Sequence, residues 1–311
     1  MRVLVTGADG FVGRHLVRRL LRDGHEVGAG CRPGNPGVVW PAPVTTISLE
    51  LTQTDSVRAA LEYGPDAVVH LAAVASNREA IEDPGRAWEV NAAGTARLAN
   101  AMVASPRPRG GDPLLLLVSS GEVYGDGPPR PRRETDPPQP QSPYAGSKLG
   151  AEVAALEARR RAGLRVLIAR PFTHTGPGQP ASFVIPAFVR RLAAARASGA
   201  SEVSTGNLDP VRDLLDVRDV VDGYVALLSR GEPGEVYNVA RGEGVSFREV
   251  FGRLAAMIGT AAVPRPDPTL TRRVDLPWLV GDPGKLVAAT GWRPTYSLEQ
   301  TLRELVDAEA H

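Results

Sequence analysis

The stretch Arg2-Val-Leu-Val-Thr-Gly7-Ala-Asp-Gly10-Phe-Val-Gly13 places a short apolar segment directly before three glycines that recur every third residue. Behind this turn, apolar residues repeat at helical spacing as far as Leu21 and end near Gly24, which predicts a helix. A strand, a glycine-rich turn and a helix in this order let the backbone approach a pyrophosphate at the helix N-terminus. A glycine-rich turn alone would predict only a tight turn, but this context predicts dinucleotide binding.

Strand and helix patterns alternate along the first half of the chain. Apolar segments predict further strands at 25–30, 44–51, 66–70, 114–118 and 164–169. Helical patterns lie between them at 54–61, 84–103 and 142–161, the last with Ser142 as a cap and Pro143 at its first position. The alternation predicts an α/β fold built on a Rossmann-type doubly wound parallel sheet.

The pattern changes after Pro171. Helices are predicted at 185–197, 217–229, 246–258 and 298–308, separated by connections rich in Pro, Gly and Arg. We expect residues 1–170 to form the dinucleotide-binding Rossmann domain. Residues 171–311 are expected to form mainly a smaller C-terminal substrate lobe, interleaved with the last strands of the sheet. The proline-rich segment 126–143 is predicted to be a loop, which acts either as a lid or as a plain connector.

The composition excludes several classes of protein. The 311 residues include 36 basic and 35 acidic side chains, so the net charge of +1 creates no overall attraction to nucleic acid or anionic membranes. The longest uninterrupted apolar run, 114–118, is too short to span a bilayer. Cys31 is the only cysteine, which excludes an internal disulfide and a cysteine-rich metal site. We expect a cytoplasmic protein with no metal, no nucleic-acid partner and no membrane association.

The residues after the second predicted strand bear on the choice of dinucleotide. A cofactor with a free ribose 2′-hydroxyl usually meets an Asp or Glu at this position, whereas a 2′-phosphate meets an Arg. The sequence Ala29-Gly-Cys-Arg32 contains no acid, and Arg14 follows the third glycine of the turn. Arg32 therefore favours NADP(H) over NAD(H), unless it is simply a solvated loop residue.

A second group of residues indicates catalysis. Tyr144 and Lys148 are four residues apart in a predicted helix and so share one face, while Ser119-Ser120 ends the fifth predicted strand. The ammonium group of Lys148 can lower the pKa of the phenol, and a serine hydroxyl can orient a substrate carbonyl or alcohol. Only Lys148 and Lys285 are lysines among the 36 Lys and Arg residues, which strengthens the interpretation of this spacing.

These residues resemble the extended short-chain dehydrogenase/reductase family, also called the NAD-dependent epimerase/dehydratase family. The resemblance covers essentially the whole chain, through Gly7-x-x-Gly10-x-x-Gly13, Asn91-Ala-Ala-Gly-Thr95, Ser119-Ser-Gly-Glu-Val-Tyr-Gly125, Ser142-Pro-Tyr-Ala-Gly-Ser-Lys148 and Arg170-Pro-Phe172. Segments 170–179, 182–186, 212–219 and 279–282 look most like GDP-4-keto-6-deoxy-mannose reductases. The resemblance implies an NADPH-dependent 4-ketoreductase of a nucleoside-diphosphate 4-keto-6-deoxyhexose, with the GDP-linked sugar favoured over a dTDP-linked one. It also implies a homodimer.

The resemblance further assigns roles to single residues. Ser120, Tyr144 and Lys148 would form the catalytic triad. The implied cofactor contacts are Gly7, Asp9, Gly10, Phe11, Val12, Gly13, Arg32, Leu51, Leu71, Ala72, Ala73, Asn91, Tyr144, Lys148, Pro171 and His174. The implied substrate contacts are Ser120, Gly121, Glu122, Thr173, Val184, Arg212 and Arg272, of which the two arginines would meet the nucleotide diphosphate.

Two positions depart from the family pattern. Thr173 stands where the family usually has an Asn that contacts the nucleotide sugar. The 4,6-dehydratase relatives carry Thr-Asp-Glu where this chain has Ser120-Gly121-Glu122, and Gly121 has no group that protonates a leaving hydroxyl, so dehydration is not expected. Glu122 either shapes the site, acts as an acid or base, or stays passive. The alternative function is an NAD-dependent nucleotide-sugar 4-epimerase with the same triad, and a third is a redox-inert NADP-binding sensor or scaffold.

Overall fold

The computed structural model describes residues 1–34, 38–105, 111–270 and 275–309. The strands in these ranges are β1 (Arg2–Thr6), β2 (Glu26–Cys31), β3 (Thr45–Ser48), β4 (Ala67–His70), β5 (Leu114–Val118), β6 (Arg165–Pro171), β7 (Thr173–Thr175), β8 (Glu202–Thr205), β9 (Val211–Asp216), β10 (Val236–Val239), β11 (Gly244–Ser246), β12 (Val263–Pro266) and β13 (Trp278–Leu279).

The α-helices of the same ranges are α1 (Phe11–Arg22), α2 (Thr54–Leu61), α3 (Asn77–Glu82), α4 (Pro84–Trp88), α5 (Gly94–Ala104), α6 (Pro143–Ala162), α7 (Val184–Ser198), α8 (Val217–Arg230), α9 (Phe247–Ile258), α10 (Gly284–Thr290) and α11 (Leu298–Glu309). A π-helix (Glu89–Ala93) joins α4 to α5, and 3₁₀ helices occupy Gly121–Tyr124 and Pro268–Leu270. Within the described residues, no helix is both long enough and apolar enough to cross a bilayer.

Seven parallel strands form the main sheet, in the order β3-β2-β1-β4-β5-β6-β10. The chain begins in the middle of this sheet, moves outward to β3, and returns to β4 on the other side of β1. The strand order therefore reverses between β1 and β4, and a crevice opens at their carboxyl ends, where open α/β sheets bind ligands. The predicted Rossmann-type doubly wound sheet is confirmed.

The side chains of the central strands alternate between two apolar cores, one on each face of the sheet. Val3 and Val5 of β1 belong to one core, whereas Leu4 belongs to the other. Helices α1 and α8 cover the first face, and α2, α5 and α6 cover the second. Every residue of β5 is buried, as expected for a strand that is covered on both faces.

The chain beyond residue 170 contributes to two packed regions. Strand β10 pairs with β6 at the edge of the main sheet, and α8 and α10 pack against the same core. A separate apolar cluster is formed mainly by α7, α9 and α11. Beside it, β9 pairs with β7, β11 and β13, while β8 pairs with β12.

The proline-rich segment 126–143 lies along the edge of the main sheet. The backbone N–H of Arg132 donates to the carbonyl of Val280, and its carbonyl accepts from the N–H of Asp282, both at 2.8 Å. The N–H of Asn238 in the edge strand β10 donates to the Glu134 carboxylate at 2.7 Å. These contacts cover the edge strand, so the segment is a docked connector in this structure.

The helix predicted at 84–103 differs from the observed one. The π-helix divides it, and within that turn the Asn91 side chain hydrogen-bonds to both backbone groups of Val74, at 2.8 and 3.1 Å. A π turn adds one residue to a helical turn, which the spacing of apolar residues does not reveal. Helices α3 and α10 escape prediction because six and seven residues are too few to show a helical period.

Removing a side chain from the centre of the sheet should destabilise the protein strongly. Leu116 of β5 is fully buried, so we expect Leu116→Ala to lower the free energy of unfolding by about 2–5 kcal/mol, because it leaves a cavity. The matched control is Leu270→Ala, at a 37% exposed side chain, which should change it by less than about 0.5 kcal/mol. Urea unfolding compares the two variants. Equal midpoints for both would show that β5 is not the packed centre of the sheet.

Candidate active site

Glycines let the turn between β1 and α1 pack closely against the backbone around it. A Cβ atom on Gly7 would lie 2.8 Å from the backbone nitrogen of Ala72, and one on Gly13 would lie 2.2 Å from the carbonyl oxygen of Gly7. At Gly10 the same atom would meet only the Gly7 carbonyl, at 3.2 Å, and no side chain caps the N-terminus of α1. This cradle of backbone N–H groups at the positive end of a helix dipole fits the pyrophosphate of a dinucleotide.

The other residues expected to contact a cofactor surround this turn. Leu71, Ala72 and Ala73 directly follow β4, and the N–H of Ala72 donates to the Thr6 hydroxyl at the end of β1, at 3.1 Å. Leu51 is buried beyond β3 and packs beside Gly94. The structure therefore brings the predicted cofactor residues that follow β1, β3 and β4 to one edge of the sheet.

Helix α1 also contacts the segment that leads into the C-terminal part of the chain. The Phe11 ring stacks on His174, with their centroids 6.4 Å apart, and His15 Nε2 hydrogen-bonds to the carbonyl of Pro177 at 3.0 Å. The His174 ring hydrogen-bonds through Nδ1 to the carbonyl of Phe172 at 2.9 Å. Burial lowers the pKa of His174, which favours its neutral form.

Arg32 directly follows β2 and its side chain is exposed. The charge of Arg32 acts on Glu50 in the segment after β3. The Glu50 carboxylate accepts hydrogen bonds from the Thr52 N–H at 3.1 Å and from the Thr52 hydroxyl at 2.9 Å. The backbone hydrogen bond from Thr52 is the main reason that the pKa of Glu50 is lowered. The carboxylate on which the exposed Arg32 guanidinium acts is thus already hydrogen-bonded to Thr52.

Ser120, Tyr144 and Lys148 come together at the carboxyl end of β5. The Ser142 hydroxyl caps α6 by accepting from the Ala145 N–H at 3.1 Å, so Tyr144 falls in the first turn of the helix. Its phenol lies close enough to the Ser120 hydroxyl for that hydroxyl to lower the phenol pKa. One turn further along α6, the buried Lys148 Nζ donates to the Val118 carbonyl at 2.5 Å.

The surroundings of Tyr144 and Lys148 shift the pKa of each side chain. Burial raises the pKa of Tyr144, and the Glu122 carboxylate raises it further, whereas the Ser120 hydroxyl lowers it. The ammonium group of Lys148 donates to the Val118 carbonyl, and the lowering of the phenol pKa by Lys148 stays a prediction. Burial lowers the pKa of Lys148 to about 8, partly opposed by the Glu152 carboxylate. Tyr144 is therefore protonated at neutral pH, as a proton donor must be.

Residues 3–240 match the model of the NAD dependent epimerase/dehydratase family. The chain belongs to this family. It is 38% identical to the GDP-6-deoxy-D-mannose reductase of Pseudomonas aeruginosa, over 98% of this chain and 96% of that protein. It is 32% identical to the UDP-glucose 4-epimerase of Mycolicibacterium smegmatis, over 99% of this chain and 98% of that protein. The resemblance seen in the sequence is confirmed.

Solved structures of the epimerase/dehydratase family superpose on nearly the whole chain. RMD from Pseudomonas aeruginosa in complex with NADPH aligns with a TM-score of 0.83 at 37% identity, covering 99% of this chain and 98% of that one. The Thermus thermophilus UDP-glucose 4-epimerase in complex with NAD aligns with a TM-score of 0.88 at 33% identity, with the same coverage. The protein is thus an NAD(P)-dependent enzyme of the oxidoreductase type.

Position 121 distinguishes this epimerase/dehydratase family member from the dehydratase pattern. A Cβ atom on Gly121 would lie 3.1 Å from the ring of Phe172, so a carboxylate side chain does not fit there without moving that ring. The neighbouring Glu122 is held by Asn77, whose Nδ2 donates to both carboxylate oxygens at 2.8 and 2.7 Å. Asn77 is a site residue that the sequence does not reveal, because it lies in the short α3 and meets Glu122 across 45 residues.

Four residues expected to bind substrate, Thr173, Val184, Arg212 and Arg272, belong to the C-terminal part of the chain. Thr173 lies in β7 and pairs with Leu214 of β9, while Val184 begins α7. The guanidinium of Arg212 donates to the Asp275 carboxylate at 2.9 Å and to the Leu276 carbonyl at 2.7 Å, so it is engaged by its own chain. Arg272 lies outside the described residues.

Filling the glycine turn should weaken cofactor binding. In Gly13→Ala the new methyl group would overlap the Gly7 carbonyl oxygen, so α1 must shift, and we expect a loss of about 1–3 kcal/mol in stability together with at least about a tenfold weaker NADPH affinity. The control is Gly252→Ala in α9, where a methyl group meets nothing and should stabilise the helix by about 0.5–1 kcal/mol. Fluorescence titration with NADPH and thermal unfolding measure both effects. Wild-type NADPH affinity in Gly13→Ala would contradict this account of the turn.

Proposed function

We propose that this protein is an NADPH-dependent 4-ketoreductase of a nucleoside-diphosphate 4-keto-6-deoxyhexose, with GDP-4-keto-6-deoxy-mannose favoured and a dTDP-linked sugar as the other candidate. The observation that carries the proposal is the protonated Tyr144 phenol, which lies beside Ser120 and one helical turn from the buried Lys148. The 38% identity to a GDP-6-deoxy-D-mannose reductase supports the choice of sugar.

In the proposed reaction the protein positions the keto group and the cofactor and donates one proton. Ser120 and Tyr144 together hydrogen-bond the keto oxygen, and Tyr144 donates its proton to that oxygen as the alcohol forms. When bound, NADPH supplies the hydride that reduces the keto carbon. The Lys148 ammonium group, which can make three hydrogen bonds, holds the nicotinamide ribose while it keeps its bond to Val118. General acid catalysis of this kind is worth about 10²–10⁴-fold in rate.

The geometry at position 121 argues against a dehydratase. Removal of water from a sugar needs an acid beside the leaving hydroxyl, and the Phe172 ring fills the space that a side chain at Gly121 would need. The bond from Asn77 to both oxygens of Glu122 holds the one remaining carboxylate of that motif in a fixed position. The site therefore supports reduction of a ketone rather than elimination.

The preference for NADPH rests on the arginines around the turn. Arg32 is exposed after β2, and the Arg14 guanidinium is anchored by its Nε bond to the Asp9 carbonyl at 2.9 Å. We propose that both face the 2′-phosphate of the cofactor, since a guanidinium binds a phosphate through paired hydrogen bonds. The structure of RMD with NADPH supports this choice, whereas the Thermus epimerase binds NAD.

We also propose that residues 171–311 supply most of the nucleotide-sugar site. Thr173, Val184 and Arg272 would line it. Contact between Arg212 and the diphosphate requires the guanidinium to exchange its present partner, Asp275, for phosphate oxygens. This exchange keeps the arginine paired with an anion in both states, which avoids leaving a largely buried charge alone.

An NAD-dependent 4-epimerase is the second candidate, because UDP-glucose 4-epimerases reach 32% and 33% identity. An epimerase oxidises and then reduces the same carbon, so it consumes no cofactor overall. Net NADPH consumption therefore separates the two functions.

The proposed function is tested by following NADPH absorbance with GDP-4-keto-6-deoxy-mannose and, in parallel, with its dTDP-glucose-derived counterpart. We expect one sugar to be reduced, and we expect Tyr144→Phe to lower kcat by about 10²–10⁴-fold, because the phenol proton is missing, while NADPH affinity stays the same. Tyr296→Phe is the matched control, since its ring stacks on Arg218 and not on a residue of the expected catalytic triad. No reduction of either sugar, or a Tyr144→Phe enzyme with most of its activity, would refute the proposal.

The cofactor preference has its own test. Arg32→Ala should weaken NADPH binding at least about tenfold, since a charge-assisted hydrogen bond contributes about 1.5–3 kcal/mol, but it should leave NADH binding almost unchanged. Arg58→Ala is the control, because Arg58 is exposed and pairs only weakly with Asp55 at 3.6 Å. Equal losses for NADPH and NADH would show that Arg32 does not recognise the 2′-phosphate.

A further inference from the structure

Glu152 is a buried carboxylate that the proposed reaction does not use. Its side chain is 3% exposed and accepts three hydrogen bonds. The Ser119 hydroxyl donates to Oε1 at 2.5 Å, and the Arg170 guanidinium donates to Oε1 through Nε at 2.9 Å and to Oε2 through Nη2 at 2.7 Å. One side chain of α6 therefore joins the carboxyl ends of two adjacent strands, β5 and β6.

Two contacts of the expected catalytic residues involve the same helix and strand end as Glu152: Lys148 with Val118, and Tyr144 with Ser120. Lys148 is one helical turn before Glu152 on α6 and donates to Val118 at the end of β5. Ser119 separates Val118 from Ser120, whose hydroxyl meets Tyr144 of α6. A sliding movement of α6 along β5 would thus disturb the Lys148, Ser119 and Ser120 contacts together.

We propose that Glu152 is a positioning residue, which fixes α6 against the end of β5 and so places Lys148 at Val118 and Tyr144 at Ser120. Its influence on turnover rests on the proposed function, whereas its influence on Lys148 rests on the geometry alone. The bidentate bond with Arg170 restricts the direction of the carboxylate, since a guanidinium fork fits a carboxylate in one plane. The Arg170 guanidinium is in turn held 4.8 Å above the Tyr124 ring.

Fold stability alone does not explain this arrangement. Replacing a buried ion pair by apolar side chains of similar size is often neutral or stabilising, because two charges no longer have to be taken out of water. The Nη1 atom of Arg170 is buried and has no hydrogen-bond partner among the described residues, which adds to the cost of keeping the charge there. The ion pair of Glu152 and Arg170 costs free energy of folding, and we attribute it to the control of the position and charge of the neighbouring catalytic residues.

A change at Glu152 is expected to alter the pKa of Lys148, because Glu152 is one of the groups that interact with it. Lys148 interacts with the Glu152 carboxylate of its own helix, with the Val118 carbonyl of β5 and with His70 of β4. Burial lowers the pKa of His70 to about 3, so His70 is neutral at the pH of interest. Glu152 is the anion that raises the pKa of Lys148, which burial lowers to about 8. Without that anion the ammonium group loses its proton at a lower pH.

The test compares Glu152→Gln with wild type in the full-length protein. The amide keeps the shape of the side chain but removes its charge. We expect kcat to fall by up to about 10²-fold, as for a small misplacement of reacting groups, while KM for the sugar changes by less than about threefold. The pH above which NADPH binding weakens should move below its wild-type value, because Lys148 then deprotonates earlier. Glu157→Gln is the matched control on α6, where the exposed carboxylate pairs with Arg161.

A second variant keeps the proposal testable if Glu152→Gln does not fold. The double variant Glu152→Met with Arg170→Met removes both members of the ion pair together, so neither is left as a buried charge without its partner, and it should fold. We expect it to show the same fall in kcat and the same shift in the pH dependence of NADPH binding. A folded Glu152 variant, single or double, with wild-type kcat and a wild-type pH profile would overturn the proposal.

The binding measurement separates this proposal from the proposed function. If wild-type protein reduces neither sugar, the ketoreductase proposal fails. The pH dependence of NADPH fluorescence then still decides the role of Glu152: an unshifted profile in Glu152→Gln overturns the positioning role, and a shifted one supports it.

Discussion

The close approach of α1 to the end of β1 constrains the rest of this structure. At the Gly7 carbonyl there is no room for even a single methyl group on Gly13, so the helix begins directly above the strand and points its open N–H groups at the reversal of the strand order. From there the Phe11 and His15 side chains reach His174 and Pro177. One backbone contact thus aligns the cofactor cradle with the start of the C-terminal region.

Buried polar side chains hold the strands behind this cradle. His70 hydrogen-bonds to the Thr6 hydroxyl at 2.7 Å and to the Thr95 hydroxyl at 3.1 Å, which ties β1, β4 and α5 together. Asn91 joins Val74 to Ser147 of α6 in the same way, at 2.8 and 2.9 Å. Because these groups are paired, their burial carries little penalty and fixes one arrangement of helices at the edge where the ligands bind.

Local sequence patterns were sufficient to predict six of the seven strands of the main sheet, but not β10 and not all of the site. Short uninterrupted apolar runs reveal β1 and β5, and Ser142 with Pro143 reveals where α6 begins, because each signal lies within a few residues. The π-helix around Asn91, the pair of Asn77 with Glu122 and the pairing of Arg212 with Asp275 depend on contacts between distant segments. No spacing along a single sequence encodes such contacts, so they become visible only in the folded chain.

The proposed reaction transfers a hydrogen from NADPH to C4 of a keto sugar, and an isotope label shows where that hydrogen goes. The enzyme is incubated with the 4-keto-6-deoxy sugar nucleotide and NADPH that carries deuterium at C4 of the nicotinamide, prepared in each of its two stereochemical forms. With one form, we expect one deuterium at C4 of the product sugar for every NADPH oxidised, as measured by mass spectrometry and NMR. Product without deuterium from either form, or a keto sugar left unreduced with no NADPH oxidised, would refute the proposed reaction.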